Sequence, residues 1–269
     1  MNLKQCKNKG LALCCAIVSI LMVNTAGASW AISAGTFSAT GDYGKDQDTR
    51  IHMMPVSLSY AADGWRFKVS SGYLWLDGYR GITNAELHDA NGQGCGCDTH
   101  DHDALVSLRE SGVADTTLSA KYRFKPDKQS RVIVDVSAKF KIPTADSDKS
   151  LGTGKQDVGF RVGSYWRFPD WWGVLDLGYK FRGEPSNVKL NDTAQLIIGG
   201  FIPLNSANTM GLNMKIREAS QEHKDPIREL QVFLNHTLDK QNRMTLLLVN
   251  GLSDSSPDWG LSTQWRYSF

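Results

Sequence analysis

Beyond its first two dozen residues, this chain of 269 residues has no run of 18 or more apolar residues, which excludes helical membrane spans. It also lacks the glycine loops that hold nucleotides and the histidine-bearing helix of zinc proteases. Gly152-Thr153-Gly154 stands between strand-like segments with no helix after it, so it reads as connection chemistry. Mean hydropathy is −0.33, the value of a water-soluble chain. Residues of the opposite kind complete the picture at both ends.

At the N-terminus, Lys4, Lys7 and Lys9 precede an apolar run over 11–23, and Ala26-Gly27-Ala28 supplies the small residues of a cleavage site. The reading is a signal peptide over 1–28 and a mature chain from Ser29. Cys14 and Cys15 suggest lipidation, but Leu13 stands where a small residue belongs and the apolar run continues past both. Removing the leader takes away three lysines and leaves 27 basic residues against 28 acidic ones. At the C-terminus, Trp259, Leu261, Thr263, Trp265, Tyr267 and Phe269 alternate with Gly260, Ser262, Gln264, Arg266 and Ser268. Such a strand puts apolar residues into lipid and small or polar residues into a lumen.

Period-2 patterning predicts twelve strands at about 30–40, 50–60, 65–76, 113–124, 131–143, 156–168, 171–182, 192–204, 209–219, 227–239, 243–253 and 259–269. In 131–143, Val132, Val134, Val136, Ala138, Phe140 and Ile142 oppose Asp135, Ser137, Lys139 and Lys141. The opening strands alternate less cleanly, and Pro55 removes a ladder donor inside the second. A secreted β-sandwich would alternate too, but the connections separate the two folds. Short links at 61–64, 125–130, 168–171, 205–208 and 240–242 take turns with longer ones near 41–49, 77–112, 144–155, 183–191, 220–226 and 254–258. A barrel has that parity, with short periplasmic turns on one rim and long loops on the other. The expected fold is therefore all-β: an antiparallel up-and-down transmembrane β-barrel over 29–269 in a Gram-negative outer membrane.

Three stretches carry a resemblance. They are Leu118-Ser119-Ala120-Lys121-Tyr122-Arg123-Phe124; Lys141-Ile142-Pro143-Thr144-Ala145-Asp146-Ser147-Asp148-Lys149 running into Leu151-Gly152-Thr153-Gly154 and Gln156-Asp157; and Leu252-Ser253-Asp254 with Ser256-Pro257-Asp258-Trp259. Over 113–269 the chain resembles the outer-membrane family named for the meta-pathway of phenol degradation, a group described as transporters. The resemblance implies a barrel that passes small molecules and keeps aromatic compounds in view as cargo. It carries no catalytic residue, and the 77–112 segment is not general to that family.

If the apolar face meets lipid, the other face lines a pore and collects Arg66, Lys68, Lys121, Arg123, Lys139, Lys141, Arg161, Arg167, Lys180, Arg182, Lys215, Arg217 and Arg266. Asp135, Asp157, Asp176 and Glu229 are the acids on that face, so most compensating acids fall in loops. A basic wall lowers the barrier to anions. The competing reading pairs these cations with the four acids as a polar filling, since twelve strands lie between barrels that side chains fill and barrels that stay open. The expected function is a channel or facilitator for small, anionic or aromatic solutes.

The alternative is a closed structural or metal-binding surface barrel that uses the 77–112 loop. There Cys95, Cys97, His100 and His102 form the densest set of metal ligands, with Asp98, Asp101 and Asp103 around them. Metal binding, a disulfide and a solvated loop without a role all remain open for this cluster, because the spacing matches no structural zinc pattern. A lipid hydrolase needs a serine beside a histidine on the lipid side. His236 is the best-placed histidine, with Asn250 on the next strand, but no serine has an obvious place beside it. The expectation is no enzyme, no cofactor and no nucleic acid; the partners are the small solute, outer-membrane lipid and lipopolysaccharide, which the Asp-rich outer loops would bridge through divalent cations.

Overall fold

A computed structural model describes residues 28–44, 48–79, 107–124, 130–185 and 189–269. The leader over 1–28 lies almost wholly outside them. The described residues form β1 (Ser29–Gly41), β2 (Thr49–Ala62), β3 (Trp65–Tyr79), β4 (Ser107–Val113), β5 (Thr116–Phe124), β6 (Val132–Ile142), β7 (Asp157–Arg167), β8 (Trp172–Arg182), β9 (Thr193–Pro203), β10 (Asn208–Arg217), β11 (Ile227–Thr237), β12 (Asn242–Gly251) and β13 (Trp259–Ser268). Every neighbouring pair is antiparallel, and β1 pairs with β13 from Ala31↔Ser268 to Thr40↔Trp259, closing the sheet. Closure removes the open edges that no sheet tolerates in lipid.

β4 and β5 both pair with β3, so they are one barrel strand with a break, and the barrel has twelve. The fourth strand therefore begins at Ser107, earlier than the alternation suggested, and β3 runs to Tyr79, so both take in ends of the segment 77–112 that was read as a loop. At the break Ala114 and Asp115 are both buried, although they are consecutive. A bulge of this kind inserts one residue and turns the next side chain around. The Ala114 N–H donates to Gly72 O at 2.9 Å, which keeps the ladder closed across it. Pro55 acts as its chemistry requires: the β1–β2 register lapses opposite it, between Ala34↔Val56 and Phe37↔Met53, and then resumes.

The periplasmic turns are built from their own sequences. Asp63 and Gly64 sit at φ 49° and 83°, the conformation of an Asp-Gly hairpin turn. In the turns after β9 and β11, Asn205 and Asp239 accept hydrogen bonds from the backbone N–H groups two and three residues on. With the Asn242 side chain donating as well, these bonds hold the Asp239 carboxyl below its ordinary range.

Outside, rows of apolar residues run across strands, as Val136, Val162, Leu177, Leu196 and Ile216 do through four consecutive pairings. Phe160, Val162, Leu177, Ile198, Leu212 and Leu248 are each about half exposed, which in water would be a large liability and in a bilayer is the required surface. Aromatic side chains collect at the short-turn rim: Trp30 lies against Tyr60, Trp65 against Tyr122, Phe168 against Trp171 and Tyr267 against Phe269. This is the girdle expected at the periplasmic interface. The Phe269 N–H donates to Trp30 O at 2.8 Å, so the last residue seals the seam.

Candidate functional site

The lumen is lined by two unlike sectors. Towards the outer mouth, the inward residues of β1 to β3 are apolar: Phe37, Ala39, Ile51, Met53, Leu74 and Leu76 are all buried. The connection 143–156 folds inward onto them. Leu151 on that connection is fully buried in the cluster, together with Tyr43 and Ala114, and Ala145 packs against it. Gly112 makes room, because a Cβ there would lie 2.7 Å from the Leu151 Cδ1. Burying a leucine this completely contributes about 2 kcal/mol, enough to hold the connection in place.

The same connection is tied to the opposite, charged sector through one lysine. Lys141 Nζ lies 3.2 Å from Asp115 Oδ2 and 3.1 Å from Asp157 Oδ2, and it donates to Thr153 Oγ1 at 3.0 Å. Asp115 Oδ1 also accepts from the Ala145 N–H at 3.0 Å, so the bulge residue grips the connection. Sequence reading missed Asp115, because strict alternation runs through 113–124 without allowing for the extra residue; nothing in the sequence marks the bulge except a strand that is too long.

From Lys141 the charged sector continues around β7 to β11. Asp157 also meets Lys180 at 3.7 Å, with Arg182 and Arg217 in electrostatic range of that lysine. Lys215 and Glu229 pair at 3.3 Å with side chains 3% and 0% exposed, and Gln231 donates to the same carboxylate. Closer to the periplasm, Arg161 pairs with Asp176 at 2.9 Å, and Arg123 clamps Asp135 with two bonds of 2.7 Å while Lys121 approaches at 3.3 Å. Arg167 lies over the Trp172 ring. By strand register the thirteen residues share the inward side of the ladder, and Lys121, Arg123, Lys141, Arg161, Lys180 and Lys215 are among those in ion pairs.

Two cavities remain among these side chains. A cavity of about 80 Å³ lies among Lys139, Lys141, Arg161, Lys180 and Arg217, and a larger one of about 270 Å³ below it among Arg161, Tyr165, Asp176, Phe201, Asn213 and Phe233. Inward glycines create this space, since the Phe233 ring packs straight onto Gly211 and Asn213 onto Gly199. At the periplasmic end Arg66 is exposed, in electrostatic range of Arg123 and Arg243, and Arg266 is in range of Arg66 and Arg243. Arg243 is an inward residue that the sequence reading left out, although it alternates with Met244 in the pattern that identified the others.

Above the mouth, burial pushes the Asp258 carboxyl up, with Asp42 and Asp48 adding to the shift. Cys95, Cys97, His100 and His102 lie outside the described residues. Among the described residues no cluster of three or more metal-ligating side chains occurs. His236 is held by Asn208, not by a serine, at 2.8 Å. Asn250 pairs across from Leu230 at the far end of the strands and donates to Asp258 O, so it cannot serve His236.

No family model matches the sequence, and no curated protein matches it. Solved structures do. The COG4313 outer membrane channel from Pseudomonas putida F1 is similar with a TM-score of 0.67 at 12% identity, over 92% of this chain and 97% of that one. The KdgM porin is similar with a TM-score of 0.52 at 11% identity, over 88% and 99%. The NanC porin has a TM-score of 0.51 at 10% identity, over 89% and 98%. At such identities the likeness is one of fold. Together with the apolar belt, the aromatic girdle and the closed ladder, it makes this chain a twelve-stranded β-barrel of the outer membrane.

Proposed function

We propose that the barrel is a passive channel for small solutes and that it favours anions. The observation that carries this reading is the charge of the lumen. On the wall from β6 to β10, Lys141, Lys180, Arg182, Lys215 and Arg217 face Asp115, Asp157 and Glu229, and the periplasmic vestibule adds Arg66, Arg243 and Arg266 near the single carboxylate of Asp135. Excess fixed positive charge in a narrow, low-dielectric passage raises the local concentration of anions and repels cations. An anion entering beside the 143–156 connection meets Arg217 and Lys180, then Arg161, then the vestibule arginines. The ion pairs fix the cations in place and spare the passage a single strong trap, which an ion could enter but not leave.

The fold is compatible with such cargo, since a KdgM porin of the same architecture was captured with disordered oligogalacturonate. Tyr165, Phe201 and Phe233 around the lower cavity suit a solute that carries a ring as well as a charge. The segment 1–28 acts as the export signal in this reading. The test is planar-bilayer recording of the refolded mature protein under a potassium chloride gradient. Discrete steps with a reversal potential on the chloride side support the proposal; cation selectivity, or no steps from protein shown to be folded, overturns it.

A further inference from the structure

The outer wall has one sector that is not apolar. In register across five strands, Trp259, Thr40, Arg50, Asp77 and Arg109 form a row on the lipid-facing side of β13, β1, β2, β3 and β4. One step nearer the membrane centre follows the row Leu261, Ser38, His52, Trp75 and Ser111. All of these residues except Leu261 line a depression of about 810 Å³. Ser38 Oγ and His52 Nδ1 are 2.7 Å apart, and the His52 ring leans on Trp75 with centroids 5.3 Å apart. Arg109 uses Nη2 and Nε on one carboxylate oxygen of Asp77, at 2.9 Å and 3.2 Å, with its side chain 84% exposed.

Height fixes what this sector meets. Thr40 lies ten residues up β1 from Trp30 of the periplasmic girdle. At ~3.3 Å per residue and a tilt of ~40°, that is ~25 Å along the membrane normal, the full height of the apolar band. Thr40 and the adjacent Arg50 are therefore at the level of the head groups of the outer leaflet, and Ser38 and His52 are just beneath them. A guanidinium facing lipid at that level meets phosphate, and a planar five-donor group is well suited to it.

We propose that this depression is a binding site for a phosphorylated lipid of the outer leaflet. Arg50 and Arg109 take the phosphate, His52 and Thr40 supply polar contacts beside it, and Trp75 and Trp259 flank the sugar or glycerol and the first methylenes. Asp77 holds Arg109 in place and offsets its charge, which leaves Arg50 as the cation of the row; Asp48 and Glu110 also border the depression, Glu110 from an inward position 4.0 Å from Lys149. The site lies on the outer wall, because Thr40, Arg50, His52, Trp75, Asp77 and Arg109 alternate along their strands with Ala39, Ile51, Leu76 and Glu110, whose positions face inward and which border the depression from behind.

The experiment uses the refolded barrel in phosphatidylcholine nanodiscs doped with bis-phosphorylated lipid A or with its dephosphorylated form, and reads retained lipid by native mass spectrometry. Wild type is expected to retain the phosphorylated form over the other, and the preference falls roughly fivefold for each of Arg50→Gln and Arg109→Gln. Arg50→Lys keeps most of it. Equal retention of the two lipids, or unchanged preference in the double variant shown to be folded by its gel mobility, overturns the proposal. So does loss of retained lipid A on adding inorganic phosphate alone at millimolar concentration, which assigns the site to the free ion. Conductance of the same variants is expected to stay at the wild-type value, so the outcome is independent of the channel reading.

Discussion

The two halves of the lumen are built on the same ladder and differ only in what alternates inward. On β1 to β3 the inward residues are Phe37, Ile51, Met53, Leu74 and Leu76; on β7 to β11 they include Asp157, Lys180, Arg182, Lys215 and Glu229. The first set has a partner, the Leu151 connection, and forms an apolar core inside the barrel mouth. The second set is buried to a similar degree but satisfies itself by ion pairing. Packing in the one gives a fixed mouth, and charge in the other gives the path that the proposed channel requires. A barrel of twelve strands has room for both because neither set spans the lumen alone.

Breaking the charged half has the largest effect. Glu229→Gln leaves the buried Lys215 without its counter-charge and is expected to destabilise the barrel by about 4 kcal/mol, read as a lower guanidinium midpoint in detergent. Replacing both members, Lys215→Met with Glu229→Leu, recovers most of that loss; a double variant as weak as the single one refutes the ion-pair account. Breaking the apolar half comes next. Leu151→Ala costs about 3 kcal/mol through the cavity it leaves, and single-channel conductance rises as the connection loosens from the mouth. A stability loss with unchanged conductance puts the connection outside the path.

Two smaller effects sharpen the contrast. Arg66→Glu with Arg243→Glu reverses charge in the vestibule without touching a buried pair, and the chloride over potassium permeability ratio falls roughly threefold. Asp258 belongs to the rim above the apolar half, and its carboxyl is raised by burial first and then by Asp42 and Asp48. An acid with a raised folded pKa favours the fold below its unfolded pKa, and that contribution is lost as pH rises through the folded value. Asp258→Asn is therefore expected to raise the unfolding midpoint slightly at pH 7, with no difference in acid below the ordinary carboxylate range.

The ease of reading each half follows from the same contrast. Where β6 and β7 put charge inside and apolar residues outside, alternation identified the strands and which face of each turns inward. Where β1 to β3 mix apolar and polar residues on both faces, the alternation is weak, and the apolar core of the mouth was not foreseen. Leu151 and Asp115 were invisible for a related reason. Their places come from a loop folding back and from one extra residue in a strand, and neither leaves a periodic trace. Ser38 and His52 are fourteen residues apart and looked unrelated until the β1–β2 register set them opposite each other.

The amino-acid sequence by itself determined the strands, their up-and-down order, which rim carries the short turns, and the basic character of the inner face, because a membrane barrel imposes period two and loop parity on the chain directly. Only the tertiary structure decided which cations are neutralised, where the mouth is packed shut, and which outward polar residues share a row. Those depend on register and on contacts between strands distant in the chain, where a shift of one residue turns every side chain to the other face.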